Sequence, residues 1–548
     1  MEKWFDSAVI YQVYPKSFRD TNNDGIGDIR GIIEKLDYIK ELGANTIWLN
    51  PFYVSPQVDN GYDVSNYFAV DTSMGKMSNI EELIKQVHLK EMKIIIDFVM
   101  NHTSDQHPWF QDAIKNPHSI YRNYYLWSKG HMRERPNNWG SFFGGSVWEE
   151  DPNKSDEYYF HLFDKHMPDL NWKNPEVQRS MTDIAKFWVL KGVDGLRLDA
   201  FIHISKADFE QQNLEIGQGK YPISEDFYAN RYEVRTYLQS FVSELKQVNP
   251  DLYILGEAAS ATTSLLVDYS VRDHNLCDHV ISFRIFTDQI QKVDQMPNEF
   301  CPVKLDLTKF KQNMANIESK LDGISLPVLY WSNHDIARVL SRYGNSNDPN
   351  SAKSLAIGMY LQRGVPLIYY GEELGMKNAV LSDPSEFNDQ KVIELRKQTS
   401  LDEETFLKKI SMVHKMAARF PMQWTENKIA KSWLKGESLN INVASEEKEQ
   451  NSILNLYRKM LKVKSRELFT NGTEIILETP EEVFGYKRFF KKEEGIVLSN
   501  LGNHTQRVNI QSSKKYSVIL SCGKYVVNTG EIVLGPWASV VFEKVGEK

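Results

Sequence analysis

Short apolar runs rich in β-branched and aromatic residues recur along the first two thirds of the chain. Eight of them have the length and composition of buried strands. They are AVIYQVYP from residue 8, TIWLNP from 46, KIIIDFVMNH from 93, GLRLDAF from 195, YILGEA from 253, VISFRIF from 280, PVLYWSNHD from 327 and PLIYYGEE from 366. Because their polar alternation is weak, they are typical of a parallel sheet that is covered on both faces.

Helical patterns lie between many of these runs. Apolar residues at three- and four-residue spacing from Ile29 to Leu42, followed by Gly43, predict one helix, and similar patterns begin near residues 79, 231 and 306. Alternation of strand and helix eight times predicts a (β/α)8 TIM barrel, and a doubly wound sheet is the less favoured alternative.

Two parts of the chain depart from this alternation. The interval after the third strand is too long for one crossover and is dense in Trp, Tyr, Asn and Gly, so residues 103–172 are expected to form a small inserted domain. From about residue 478 short alternating strands predict a C-terminal all-β sandwich over 478–548. The barrel itself is then expected to comprise residues 1–102 and 173–477.

Composition restricts the partners and the compartment. The 548 residues are 41% hydrophobic and 25% charged, as in globular proteins of two or three domains. The net charge of −8 argues against a nucleic-acid or membrane partner. The three cysteines lack metal-ligand spacing, and the N-terminal stretch MEKWFDSAVI is unlike a signal peptide, so we expect a cytoplasmic protein. We expect a monomer or weak homo-oligomer that acts on small neutral or cationic molecules.

Polar residues stand where the predicted strands end, which in a TIM barrel is the face that carries active sites. They are Asp97, Asn101 and His102, then Arg197 and Asp199, then Glu257, and finally Asn333, His334 and Asp335. Each alone could be a structural ion pair, a helix cap or a buried histidine. Three carboxylates that converge on one rim are costly to bury, so together they indicate a function.

Glycoside hydrolysis is the chemistry that uses such a set. A retaining glycosidase needs a carboxylate nucleophile and a carboxylic acid about 5 to 5.5 Å away. Asp199 and Glu257, on adjacent strands, can supply this pair. The nucleophile should stay ionised beside Arg197, and the acid needs a raised pKa.

The stretch DTNNDGIGD, residues 20–28, places oxygen-bearing side chains at alternating positions of a tight turn. It matches the opening of a calcium-binding EF-hand loop, but Gly31 stands where the EF-hand has its glutamate. The loop therefore either binds a cation without being an EF-hand or is an Asx-rich turn in solvent.

At DFVMNH, GLRLDAF, GEA and SNHD the chain resembles glycoside hydrolase family 13, the α-amylase family. The resemblance implies that Asp199 is the nucleophile, Glu257 the acid/base and Asp335 the carboxylate that holds sugar hydroxyls in the transition state. It further implies that His102, Arg197 and His334 grip the first sugar.

Within the family the chain resembles the oligo-1,6-glucosidase, α-glucosidase and trehalose-6-phosphate hydrolase branch, through segments such as DNGYDVSNY and PMQW. This implies that Asp59 and Tyr62 hold the terminal glucose and that cleavage removes one glucose from a chain end. It also implies a structural Ca²⁺, with the ligands Asp20, Asn22, Asp24, the Ile26 carbonyl and Asp28.

The departures from the branch concern specificity. Ala200 follows the nucleophile where α-1,6-specific relatives have Val, and MPDLN replaces QPDLN. KMAARFPMQW keeps Arg419 but has Lys415 in place of an arginine. This replacement weakens or rearranges the grip on Asp59 or the substrate. We therefore expect an α-1,4-preferring α-glucosidase, with transglucosylation left open. The alternatives are an oligo-1,6-glucosidase, a trehalose-6-phosphate hydrolase, a sucrose isomerase or a silent amylase-like scaffold.

Overall fold

The computed structural model describes residues 3–130, 134–214, 219–427, 429, 431–438, 441–510 and 516–544. Eight parallel strands form one nearly closed barrel, as the sequence predicts. They are β1 Ile10–Val13, β2 Thr46–Leu49, β3 Lys93–Val99, β4 Gly195–Asp199, β5 Tyr253–Glu257, β6 His279–Ile281, β7 Val328–Leu329 and β8 Val365–Tyr369. Each strand is hydrogen-bonded to its neighbours in the order β6-β5-β4-β3-β2-β1-β8-β7.

Helices cover the outside of the barrel, and most of them bury one apolar face against it, whereas Gln390–Gln398 and Glu403–Val413 contribute to a separate apolar cluster. The α-helices before the fourth strand are Pro15–Phe18, Ile29–Glu34, Leu36–Leu42, Met77–Leu89, Pro108–Lys115 and Pro175–Leu190. Those that follow are Glu225–Tyr228, Glu233–Val248, Thr263–Ser270, Leu307–Leu321, Val339–Arg342, Asn350–Tyr360, Gln390–Gln398, Glu403–Val413, Lys415–Ala418, Val443–Lys448, Ile453–Lys464 and Glu467–Thr470. No helix of the described residues is both long and apolar enough to span a membrane, and the predicted cytoplasmic location stays a prediction.

The first predicted helix is in fact two helices. Lys35 ends the helix Ile29–Glu34 with φ −111° and ψ 10°, and a second helix, Leu36–Leu42, starts directly after it. Gly43 ends this second helix at φ 106°, the left-handed conformation that glycine adopts without strain. The apolar period continues across the break because both helices bury the same face.

Between β3 and β4 lies a three-stranded antiparallel sheet of Trp127–Lys129, Glu157–Phe160 and Trp148–Glu150. It has its own apolar core, in which Trp139, Trp148 and Phe160 are fully buried. This sheet lies in the stretch predicted as an insertion, and the exact bounds at 103 and 172 stay a prediction.

The C-terminal part consists of two antiparallel sheets that form a sandwich. One contains Thr473–Ile476, Val483–Phe490, Glu493–Asn500, Ser539–Lys544 and Tyr516–Cys522, and the other Gln506–Asn509, Glu531–Leu534 and Tyr525–Asn528. Its core includes Val483, Leu498, Ile532 and Val540. The first strand starts before residue 478, so the predicted boundary falls between two strands of one sheet.

Candidate active site

One guanidinium joins the carboxylates of three neighbouring barrel strands. The Nη1 atom of Arg197 lies 2.6 Å from an oxygen of Asp97 and 2.6 Å from one of Asp199, and its Nη2 atom lies 2.6 Å from Glu257. Arg197 is almost completely buried, so its charge depends on these partners. The structure thus brings Asp199 and Glu257 together at the ends of β4 and β5, as the sequence predicts.

Two of the three carboxyl groups on Arg197, those of Asp199 and Glu257, influence each other's protonation. Burial raises the pKa of Asp199, Arg197 opposes this, and the charges of Glu257 and Asp97 add to it. Burial also raises the pKa of Glu257, again against Arg197. Since both side chains share one cation, they titrate as a pair, and the pair retains a proton to higher pH than isolated carboxylates would. The sequence predicts a nucleophile that stays ionised beside Arg197. Arg197 does contact Asp199, but it also contacts Glu257 and Asp97, and burial raises the pKa of Asp199 in spite of this contact.

Asp335 is held as an anion by three cationic or donor groups. Its Oδ1 atom lies 3.2 Å from both Lys415 Nζ and Arg419 Nη2, and its Oδ2 atom lies 2.9 Å from His334 Nε2. Burial opposes ionisation, but His334 and Lys415 outweigh it and hold the pKa of Asp335 well below its usual value. Lys415, expected to act near Asp59, makes its direct contact with Asp335.

A hydrogen-bond network fixes the residues beneath this carboxylate. The rings of Tyr62 and His334 stack with centroids 5.4 Å apart, and the Tyr62 hydroxyl lies 2.5 Å from His334 Nε2 and 3.1 Å from Asp97. Gln12 donates to His334 Nδ1 at 2.9 Å, and Arg419 donates to the His334 carbonyl at 2.8 Å. Burial lowers the pKa of His334. The network therefore orients Tyr62 and Asp335 rigidly.

Two further residues that the sequence predicts for the site, His102 and Asp59, place polar atoms at the same cavity. Burial lowers the pKa of His102 to about 4, and its Nε2 atom finds no hydrogen-bond partner among the described residues. A buried polar atom without a partner is rare and is satisfied readily by a ligand. Burial raises the pKa of Asp59 to about 6, against the opposing charges of Lys415 and Arg419. Both side chains can accept or donate hydrogen bonds to a polar ligand.

These groups surround a cavity of about 300 Å³ at the carboxyl ends of the strands. Among the residues predicted for the site, those in its wall are Asp59, Tyr62, His102, Asp199, Ala200, Glu257 and Asp335. Arg197, His334 and Arg419 lie behind the wall and hold these residues in place.

The remaining wall consists of Phe142, Phe143, Phe163, Met167, Ile202, His203, Glu225, Ala259, Ser260 and Phe283, together with Lys415. The sequence reasoning did not assign Phe142, Phe143, Phe163, Ile202, His203 or Glu225 to the site. The four residues from Phe142 to Met167 come from the inserted segment. Its density of aromatic residues was a signal, but composition could not show which rings face the cavity.

Ala200 connects the two central carboxylates through its backbone. It has φ 48°, the left-handed region, and its N–H points to Glu257 Oε2 at 3.4 Å. The backbone turn after Asp199 therefore helps to orient Glu257. Its small side chain lines the cavity.

The acidic loop at residues 20–28 lies outside this cavity. Asp20 accepts hydrogen bonds from the N–H groups of Asn22, Asn23 and Gly25, and Asp28 caps the helix Ile29–Glu34 through Gly31 at 2.8 Å. In the part of the chain that the structure describes, no three His, Cys, Asp or Glu side chains are grouped so that they could hold a metal. The available donors are all oxygens, which suits a hard cation.

The alpha-amylase catalytic-domain model matches residues 12–472. The chain belongs to the α-amylase family, glycoside hydrolase family 13. It is 35% identical to an oligo-1,6-glucosidase of Bacillus cereus, over 99% of this chain and 100% of that protein. It is also 35% identical to a trehalose-6-phosphate hydrolase of Bacillus subtilis (strain 168), over 98% of each chain. A solved structure described as a family GH13_31 enzyme shares 47% identity and a TM-score of 0.91, covering 99% and 100% of the two chains.

The chain matches these relatives over their full length and is therefore a glycoside hydrolase of the α-glucosidase group of family 13. The names of the relatives include more than one substrate, so the family alone leaves the linkage open.

Proposed function

We propose that the protein is a retaining, exo-acting α-glucosidase that releases glucose from the non-reducing end of short α-glucosides and prefers α-1,4 linkages. The observation that carries this proposal is the pair Asp199 and Glu257 on one guanidinium at the cavity. Carboxylates side by side fit the retaining spacing of about 5 to 5.5 Å better than the wider inverting spacing of about 6.5 to 9.5 Å.

In the proposed reaction Asp199 attacks the anomeric carbon while Glu257 protonates the oxygen of the leaving sugar. The pKa of Glu257, raised by burial, favours the protonated form that this step requires. The glycosyl–enzyme ester is then hydrolysed by water that the now ionised Glu257 deprotonates. Arg197, in contact with both groups, stabilises the negative charge on whichever of the two carboxyl groups is ionised at each step.

The rest of the wall supports recognition of one terminal sugar. Asp335, held ionised, can accept hydrogen bonds from ring hydroxyls, and the unpartnered Nε2 atom of His102 can bind another. Asp59 and Tyr62 complete this side of the cavity. A volume of about 300 Å³ is small, which favours removal of single glucose units over cleavage within a long chain.

The linkage preference rests on Ala200, whose small side chain leaves room in the wall beside the nucleophile. Initial rates on maltose, isomaltose, trehalose 6-phosphate and sucrose, with products followed by chromatography, test it. Maltose as the best substrate would support α-1,4 preference. Isomaltose as the best would replace it with the oligo-1,6-glucosidase alternative. Transfer products would reveal transglucosylation.

The chemical step is tested with Asp199→Asn. We expect a loss of at least about 10³-fold in kcat, because the nucleophile acts only in the chemical step. Asp183→Asn, at an exposed position of the helix Pro175–Leu190, is the matched control and should retain activity. Near wild-type turnover by the Asp199 variant would refute the assignment.

We further propose that the loop at residues 20–28 binds a structural Ca²⁺. Asp20, Asn22, Asp24, Asp28 and the Ile26 carbonyl would hold it. Because the three carboxylates are not grouped around one point in the structure, binding would require the loop to close around the ion. Added Ca²⁺ should raise the melting temperature of chelator-treated protein, and Asp24→Ala should abolish this response. A melting temperature that responds to neither chelator nor Ca²⁺ would refute the site, and a stronger response to Mg²⁺ would reassign the ion.

A further inference from the structure

Glu225 places an additional carboxylate in the wall of the catalytic cavity. It begins the short helix Glu225–Tyr228, and this helix is held firmly. The Tyr228 hydroxyl accepts the N–H of Ser224 at 2.7 Å and donates to the carbonyl of Gly140, in the inserted segment, at 3.1 Å. His203 contacts the Tyr228 carbonyl at 2.9 Å. The position of Glu225 is therefore determined by the packing of the insertion against the loop after β4.

The Glu225 carboxylate has unused capacity to accept hydrogen bonds. It forms a hydrogen bond with the Ser260 side chain, and it makes no ion pair within the described parts of the chain. Arg284, the nearest cation acting on it, donates instead to the Ser260 carbonyl at 2.6 Å. An ionised carboxylate offers about four acceptor positions, so one bond to Ser260 leaves most of them available to a ligand.

This carboxylate lies on the side of the cavity where the leaving group must be. Glu257 protonates the leaving oxygen, and Ala259 and Ser260, on the loop directly after it, line the same wall. Phe283 adds an aromatic ring there, and its N–H donates to the Ala259 carbonyl at 3.1 Å. A ring beside a carboxylate suits a sugar, which has an apolar face and a rim of hydroxyl groups.

We propose that Glu225 is a specificity-determining residue that accepts a hydrogen bond from a hydroxyl of the leaving sugar. It selects neutral, hydroxylated leaving groups and disfavours phosphorylated ones, because an anionic group beside it would be repelled. This inference rests on the proposed α-glucosidase function and identifies the chemistry of its second subsite.

The test compares leaving groups with and without hydroxyls. Kinetics are measured for Glu225→Ala, Glu225→Gln and the control Asp226→Asn, an exposed carboxylate of the same helix. The substrates are 4-nitrophenyl α-glucoside, trehalose 6-phosphate and whichever of maltose or isomaltose the wild type cleaves faster. Melting temperatures of the variants show whether they are folded.

For Glu225→Ala we expect kcat/KM on the disaccharide to fall about 10- to 100-fold while kcat/KM on 4-nitrophenyl α-glucoside changes less than about 3-fold. Glu225→Gln, which keeps the shape and removes the charge, should raise the ratio of trehalose 6-phosphate to disaccharide cleavage. Equal losses on both glucosides would show a structural role and overturn the inference, as would no loss on either. A wild-type protein inactive on all the substrates would instead refute the α-glucosidase function itself.

Discussion

Replacement of Lys415 by methionine isolates one charge that acts on the catalytic cavity. Its Nζ atom lies 3.2 Å from Asp335 Oδ1. At the 3.2 Å that separates these atoms, two unit charges interact by about 5 kcal/mol at an effective dielectric constant of about 20 and by about 1.3 kcal/mol in water. The Lys415 side chain is 32% exposed, which moves the value towards the lower limit. With about 1.5 to 2 kcal/mol of lost stabilisation of Asp335, we expect kcat/KM to fall about 10- to 30-fold.

The same substitution should change the pH dependence. Lys415 lowers the pKa of Asp59, which stands at about 6 because burial raises it more. Activity that requires ionised Asp59 is lost as the pH falls through this value. Without Lys415 the pKa of Asp59 rises, so the acidic limb of the kcat/KM profile should move to higher pH.

The assay is hydrolysis of 4-nitrophenyl α-glucoside from acidic to mildly alkaline pH, with product read after quenching. Lys408→Met removes the same charge from an exposed position, where Lys408 pairs, among the residues that the structure describes, only with Glu404 on its own helix. It should leave both the rate and the profile unchanged. If the Lys415 variant stays within about two-fold of the wild type and keeps its acidic limb, the electrostatic reasoning is refuted.

Two further substitutions test the support of Glu257. Gly256→Ala would place a Cβ atom 2.5 Å from Cys277 Sγ and 2.7 Å from the Phe201 ring. We therefore expect urea unfolding to show about 1 to 3 kcal/mol of destabilisation, together with lower activity. Unchanged stability would contradict this packing. Asp97→Asn removes one anion from Arg197, which keeps Asp199 and Glu257 as partners, and should cost about 1 to 3 kcal/mol. Asp97 raises the pKa of Glu257, and activity is lost as the pH rises through that pKa. The basic limb of the kcat/KM profile of the variant should therefore move to lower pH. A shift to higher pH would contradict this reasoning.

Buried strands were predictable because their composition is decisive. The observed strands β2 to β5 begin at the residues where the apolar runs begin. The sixth run was less reliable, since β6 ends at Ile281 and the following residues form the short 3-10 helix Phe283–Ile285. In the C-terminal sandwich the sequence reasoning did not identify the four-residue strands Thr473–Ile476, Gln506–Asn509 and Glu531–Leu534.

The residues of the candidate site also fall into those that the sequence could place and those that it could not. Residues that directly follow a barrel strand, such as Asp199 and Glu257, could be placed from the sequence because the fold fixes their common edge. Residues on long loops could not, since their positions depend on tertiary packing. Glu225 is one example, and the contact of Lys415 with Asp335 is another.

The wall of the catalytic cavity draws on segments from Asp59 to Lys415, and the inserted segment supplies several of its aromatic rings. No short stretch of the chain contains a working site, so catalysis is a property of the fully assembled molecule. During refolding, activity should therefore return only after the inserted segment has docked on the barrel. Recovery of catalytic activity would thus measure the last step of folding.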